Sequence, residues 1–207
     1  MIIAVDGPTA SGKGTISKAL AVHYSLPFMD TGLLYRAVGR QVAMNGGDAD
    51  DAADALAGCA FPNVLLDDPI LRTEEAGGLA SRVSIHPAVR AALNQRQVDF
   101  ANQPGGAVLD GRDIGTVIAP HADVKLFIIA SSQVRAQRRF DEMRRRGVEA
   151  DLAAILTDIQ ARDARDSGRS DAPLQQAADA VAIDTSALDA EHAIAAAIAA
   201  VDAKRAV

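Results

Sequence analysis

Gly7-Pro8-Thr9-Ala10-Ser11-Gly12-Lys13-Gly14-Thr15 follows directly on the apolar run Ile2-Ile3-Ala4-Val5, and Ile16, Ala19 and Leu20 then open a helical pattern. Gly7 and Gly12 bracket four residues and Lys13 comes next, the spacing of a phosphate-binding loop between a buried strand and a helix. Glycines let the backbone curl until successive N–H groups converge on phosphate oxygens, and the helix N-terminus adds its positive end. A lysine here reaches between the outer phosphates of a nucleotide such as ATP. Ser or Thr usually stands beside that lysine, where its hydroxyl ligates magnesium; here Gly14 intervenes and the hydroxyl is on Thr15. This departure, together with the lack of any Asn-Lys-x-Asp guanine motif in the chain, argues against a GTPase.

Two other strand ends carry charge. Ala107-Val108-Leu109 runs into Asp110-Gly111-Arg112-Asp113. An aspartate after a buried apolar strand near a phosphate loop is the Walker B arrangement, so Asp110 and Thr15 are the candidate groups for Mg²⁺, partly through water. Arg112 and Asp113 leave the same strand end into the cleft, in preference to the alternative of an ordinary turn with a surface ion pair. Asp30-Thr31-Gly32-Leu33-Leu34-Tyr35-Arg36 lies where a second strand ends and a helix starts, which places Thr31 and Arg36 at the same rim of the sheet as the phosphate loop. Taken alone, a simple helix cap with a solvated arginine explains those residues equally well.

A helix beginning at Asp151 carries Leu152, Ile155, Leu156 and Ile159 at i, i+3, i+4 and i+7, which marks them as core-facing. Continuing that face gives Arg162, Asp166 and, if the helix survives Ser167-Gly168, Arg169. Charges on a buried stripe must meet partners or a water-filled cleft, because unpaired burial is costly. Arg165 and Asp163 lie off the line and read as solvated or structural. On the helix 132–147, Arg135, Arg138, Arg139, Arg144, Arg145 and Arg146 read mostly as a solvated face, with 144–150 forming a short mobile lid.

The elements that must hold these groups are legible as continuous apolar runs at 2–5, 26–29, 107–109, 124–130 and 180–183, alternating with helical patterns at 13–24, 33–44, 87–102, 132–147, from 151, and 188–205. Runs apolar on both faces read as parallel strands covered by helices, so the expected fold is α/β: a doubly wound, five-stranded parallel sheet with ligands at the carboxyl ends of its strands. The stretch 59–86 breaks the alternation and reads as an excursion with one short strand at 64–66, or else as a long surface loop.

At 207 residues the chain is long enough for one domain with a full core, and 49% hydrophobic content with 3% aromatics makes that core aliphatic. No apolar run approaches the ~20 residues of a membrane span, and a strand at the first residues leaves no room for a leader. Cys59 is the only cysteine, so neither a disulfide framework nor a zinc site is expected; this fits a reducing cytoplasm. A net charge of −6 argues against a nucleic-acid polymer as partner.

In this order, GPTASGKGT, DTGLLYR, DGRDIGT and RDARDSGR resemble the bacterial cytidylate kinases, P-loop nucleoside monophosphate kinases that phosphorylate CMP or dCMP from ATP, and the resemblance covers essentially the whole chain. It implies that Gly7, Pro8, Thr9, Ala10, Ser11, Gly12, Lys13, Gly14 and Thr15 bind ATP, and that Lys13, Arg162 and Asp110 carry the transfer. Thr31, Arg36, Ser81, Arg90, Arg112, Asp113, Arg162, Asp166 and Arg169 are the implied CMP residues. Within that set Ser81, Arg90 and Asp113 resemble the cytosine-recognition group, Arg162 and Arg169 the phosphate contacts, and Asp166 the sugar contact. The segment 59–86 stands in place of the family's monophosphate-binding insert, shortened by one hairpin. The resemblance further implies a single kinase domain over 1–207, Mg²⁺ with ATP, and a cytoplasmic monomer. A UMP/CMP or AMP kinase is the neighbouring reading; a non-catalytic nucleotide sensor is the reading from another class.

Overall fold

The structure is a computed structural model that describes residues 1–205. The apolar runs become five strands, β1 (Ile2–Asp6), β2 (Phe28–Asp30), β3 (Ala107–Gly111), β4 (Val124–Ile129) and β5 (Val181–Asp184). They form one parallel sheet in the order β2-β3-β1-β4-β5. The helices are α1 (Lys13–His23), α2 (Thr31–Met44), α3 (Ala52–Ala57), α4 (Glu74–Val83), α5 (Pro87–Ala101), α6 (Ser132–Arg145), α7 (Leu152–Gly168) and α8 (Ala190–Arg205). The chain divides into two compact units, residues 1–29 with 101 onward, and Asp30–Phe100.

Strand register decides which charged residue faces which layer in the first unit. Val5 lies beside Asp110 of β3 and Leu126 of β4, while Asp6 lies beside Gly111. Neighbouring residues in register share a face and successive residues alternate. Ile3, Val5, Val108, Leu126 and Ile128 therefore form one face, packed against Ile16 and Leu20 of α1 and Ala193, Ala197 and Val201 of α8. Burial of each large aliphatic side chain there contributes about 1.5–3 kcal/mol. Asp110 ends this face and is directed to α1, whereas Asp6 ends the opposite one.

The second unit is helical. Leu34, Ala37, Val38 and Val42 make the buried stripe of α2, and Leu65, Leu71, Ala76, Val83, Val89 and Leu93 complete the core. The strand expected at 64–66 is instead part of a 3₁₀ turn, Asn63–Asp67. Pro62 and Pro69 flank it, and only Leu65 is buried while Val64 is exposed, so no ladder forms. Gly77-Gly78 lies inside α4: the Thr73 hydroxyl accepts the Ala76 N–H at 3.2 Å and Glu74 and Glu75 occupy the positive first turn. The face of α7 also differs from the expectation. Leu152 is exposed and Ile155 and Leu156 are half-buried; only from Ile159 onward, through Arg162 and Asp166, is the stripe buried.

Two glycines of this unit give opposite expectations. A Cβ on Gly39 would lie 2.6 Å from the Leu79 Cβ, whereas one on Gly78 meets nothing within 4 Å. Gly39→Ala should lower stability by about 1–3 kcal/mol, since α2 and α4 must part. Gly78→Ala should raise it by about 0.5–1 kcal/mol through the unfolded chain. Urea midpoints of the two variants shifting in the same direction would contradict this packing.

Candidate active site

The loop after β1 is built from backbone that few side chains tolerate. Gly7 has φ 151° and a Cβ there would lie 2.1 Å from the Ile128 carbonyl oxygen, so only glycine can leave the strand at this point. Ala10 (φ 57°) and Gly12 (φ 92°) are also left-handed. Repeated sign changes of this kind turn consecutive N–H groups into one concavity. α1 starts at Lys13 with no side-chain cap at Gly12, so the positive end of the helix faces the loop.

Lys13 is buried, and its Nζ lies 3.5 Å from Asp110 Oδ1 across the α1 face of the sheet. Gly14 sits against the same carboxylate: a Cβ there would meet Asp110 Oδ2 at 3.2 Å. A side chain at position 14 would therefore start in close contact with the Asp110 carboxylate. Thr15 is exposed. Among the described residues no group of three or more His, Cys, Asp or Glu could hold a metal ion. A single carboxylate is compatible with magnesium, which binds through few protein oxygens and keeps several waters.

The end of β3 meets α7. Arg112 Nε donates to Asp166 Oδ2 at 2.8 Å, and Nη1 reaches the Gly111 carbonyl at 3.2 Å. Burial pushes the Asp166 carboxyl up, but the charge and hydrogen bond of Arg112, with the charges of Arg169 and Arg162, outweigh it and hold the group below the ordinary value. Arg162, one turn earlier, is buried, with its guanidinium 3.8 Å from Asp158. Burial, with Arg112 and Arg165 nearby, lowers its pKa against the pull of Asp158 and Asp166. α7 does continue through Ser167-Gly168, and Arg169 follows it, with its Nε donating to the Ala172 carbonyl at 2.8 Å. Asp113, buried, follows Arg112 and precedes a π-type turn, Ile114–Ile118.

In the second unit Thr31, Ser81 and Arg90 are buried polar groups, and the Arg90 guanidinium stands 5.9 Å over the Tyr35 ring. Arg36 donates to the Leu71 and Thr73 carbonyls at 2.8 and 2.9 Å, which ties the start of α2 to the 69–73 turn. On α6 the solvated-face reading fails for Arg135, which is 4% exposed, and Arg138 bonds to Thr185 and the Leu188 carbonyl. Beyond them Arg144 lies over the Phe140 ring at 5.8 Å and Arg146 pairs with Glu142 at 2.6 Å, so the 144–146 arginines contact their own helix.

Residues 3–203 match the cytidylate kinase family. The chain belongs to that family. Among its relatives is the cytidylate kinase of Rhodopseudomonas palustris (strain ATCC BAA-98 / CGA009), 56% identical over 191 residues, 91% of this chain and 90% of that one. The cytidylate kinase of Xanthobacter autotrophicus (strain ATCC BAA-1158 / Py2) is also 56% identical, over 91% of each chain. In fold, the chain is similar to the crystal structure of an uncharacterized protein from Eubacterium ventriosum ATCC 27560, with TM-score 0.57 at 17% identity, covering 98% of both chains.

Asp6 is a buried residue beside this site that sequence reading passed over. Its carboxylate accepts the N–H groups of Ile114 and Gly115, each at 2.8 Å, and so fixes the turn that follows Asp113. The signal was available: Val5-Asp6-Gly7 has the same form as Leu109-Asp110-Gly111, a carboxylate ending an apolar strand. Burial above all, and then the charges of Asp113 and Asp110, raise its pKa to about 7 against the pull of the two N–H groups. A raised folded-state pKa means a contribution fully present below the unfolded value of 3.8 and lost as pH rises to about 7. That loss is on the order of 4 kcal/mol. Asp6→Asn cannot titrate, so its unfolding free energy should gain on the wild type between pH 4 and pH 8. Urea unfolding curves at both pH values test this, and stability–pH profiles that run parallel would refute it.

Proposed function

We propose that this chain transfers the γ-phosphoryl group of ATP to CMP or dCMP, giving ADP and CDP or dCDP. The observation that carries the reading is the convergence, in the first unit, of an uncapped glycine-loop helix, the Lys13–Asp110 pair and the Arg112–Asp166 pair at adjacent ends of parallel strands, in a chain of the cytidylate kinase family.

The acceptor is already a phosphate oxygen, largely ionised near neutral pH, so the chain needs no strong general base and forms no phospho-enzyme. The work is positioning and neutralisation of charge as the phosphoryl group passes between two anions. Gly7–Thr15 cradle ATP, with Lys13 at its outer phosphates. Arg162, kept buried and charged, faces the transferring group; Arg169 adds a phosphate contact and Asp166 a sugar contact. Thr31, Arg36 and Arg112 serve the CMP phosphate side. Magnesium arriving with ATP supplies charge neutralisation, and Asp110 and Thr15 would hold its waters. The segments 59–86 and 144–150 serve as monophosphate insert and short lid, and the protein acts as a cytoplasmic monomer.

Cytosine offers a donor amino group at C4 and acceptors at N3 and O2; uracil reverses the first two. Asp113, acceptor-only when ionised, suits the amino group, while Ser81 and Arg90 donate to N3 and O2. A mispaired buried polar group costs roughly 1–3 kcal/mol, so CMP should be preferred over UMP by about 10- to 100-fold in kcat/KM. Asp113→Ala should narrow that ratio, whereas Lys13→Ala should cut both substrates alike, by on the order of 10³-fold in kcat. Coupled ADP-release assays with CMP, dCMP, UMP and AMP measure all of these. A wild type that uses CMP and UMP equally well would replace this reading with the broader UMP/CMP class, and ADP release independent of any monophosphate would exclude a kinase of this kind.

A further inference from the structure

A phosphate loop works only if its peptide units are turned with N–H inward. In a trans peptide the carbonyl of one residue points away from the N–H of the next. Whatever draws a loop carbonyl outward therefore aims the following N–H at the anion. Two carbonyls of this loop are held by side chains from outside the motif, and neither holder belongs to the residues assigned above.

The first is Arg135, in the first turn of α6. Its Nη1 donates to the Thr9 carbonyl at 3.2 Å and its Nε to the Ala130 carbonyl at 2.9 Å. The guanidinium is kept in that plane by Asp163 of α7, which accepts from Nη1 at 3.0 Å and Nη2 at 2.6 Å. Such a fork fixes direction as well as distance, which a lysine could not do. The second is Thr185, directly after β5 and buried. Its hydroxyl lies 2.9 Å from the Ser11 carbonyl oxygen and 3.2 Å from that of Ile129. Arg138 Nη1 donates to the same hydroxyl oxygen at 3.0 Å, which leaves the hydroxyl proton for a carbonyl. The peptide units so held are 9–10 and 11–12, whose N–H groups belong to Ala10 and Gly12, two of the left-handed residues of the loop. Left-handed backbone at an alanine is strained and persists only where its surroundings impose it.

We propose that Arg135 and Thr185 are positioning residues of the ATP site: they turn the Thr9 and Ser11 carbonyls outward and so present the Ala10 and Gly12 N–H groups to the triphosphate. Through Asp163 the same brace reaches α7 next to Arg162, so the loop and the arginine helix are set by one pair. The inference rests on Gly7–Thr15 being the ATP site.

The test uses the full chain with Thr185→Val, Thr185→Ser, Arg135→Lys and Lys13→Ala, read by calorimetry with ADP and by KM for ATP and for CMP. Valine keeps the shape of threonine and loses the hydrogen bond. Thr185→Val should raise the ADP Kd and the ATP KM about 5- to 10-fold with the CMP KM within about twofold, and Arg135→Lys should do so about 10-fold or more. Thr185→Ser should restore both values. Melting temperatures identify the folded variants, and a merely structural role would move them without splitting the two KM values. An unchanged ADP Kd in folded Thr185→Val, or equal rises in the ATP and CMP KM, would overturn the proposal. Wild-type turnover and ATP KM in Lys13→Ala would instead remove the parent reading of the loop; a crippled Lys13→Ala beside an unaffected Thr185→Val removes only this inference.

Discussion

The ion pair between Arg112 and Asp166, 2.8 Å apart and largely shielded from solvent, joins the end of β3 to the inward face of α7. Most of what surrounds it follows from the cost of burying charge. An isolated guanidinium or carboxylate in this position would be strongly unfavourable, and removal of one partner would leave the other uncompensated. The pair therefore fixes where α7 can lie, and α7 in turn fixes Arg162, one helical turn away on the same face. Arg169 and Arg162 add positive charge around Asp166, which is why its carboxyl stays below the usual range despite burial. A stripe that begins aliphatic at Ile159 and ends ionic is thus one continuous contact surface, half of it packing and half of it charge.

The same logic repeats around the phosphate loop of the first unit. Lys13 meets Asp110 on the α1 face, Asp6 meets two backbone N–H groups on the other, and Arg135 meets Asp163 beside the glycine loop. Parallel strands place all their carboxyl ends at one edge, so charge excluded from the sheet interior collects there. Gly14, the departure from the usual motif, lies against the Asp110 carboxylate in this cluster.

Much of this was legible in the sequence because it depends on local pattern. Continuous apolar runs located all five strands to within a few residues, glycine spacing located the phosphate loop, and the 3.6-residue period carried the α7 face to Arg162 and Asp166. What remained hidden depends on contacts distant in the chain. Arg135 looks like any arginine on a charged helix until Asp163 and the Thr9 carbonyl are seen around it. Thr185 carries no motif at all. The turn at 63–67 was mistaken for a strand because Val64-Leu65-Leu66 is apolar, while the lack of a pairing partner cannot be read locally. Helix α4 likewise forms across Gly77-Gly78, where the Thr73 cap and the acidic first turn offset the intrinsic cost of two glycines.

The central claim is that the inward face of α7, and not its general positive charge, neutralises the transferring phosphoryl group. Arg162 lies on that face and is buried; Arg165, three residues on, is off it and half-exposed. The direct measurement is kcat at saturating ATP and CMP for Arg162→Ala and Arg165→Ala, with folding checked by melting. The account predicts a loss of about 10²-fold or more for Arg162→Ala, the scale for a charge acting in the transition state, and a loss of no more than about threefold for Arg165→Ala. Losses of comparable size in the two variants would contradict it.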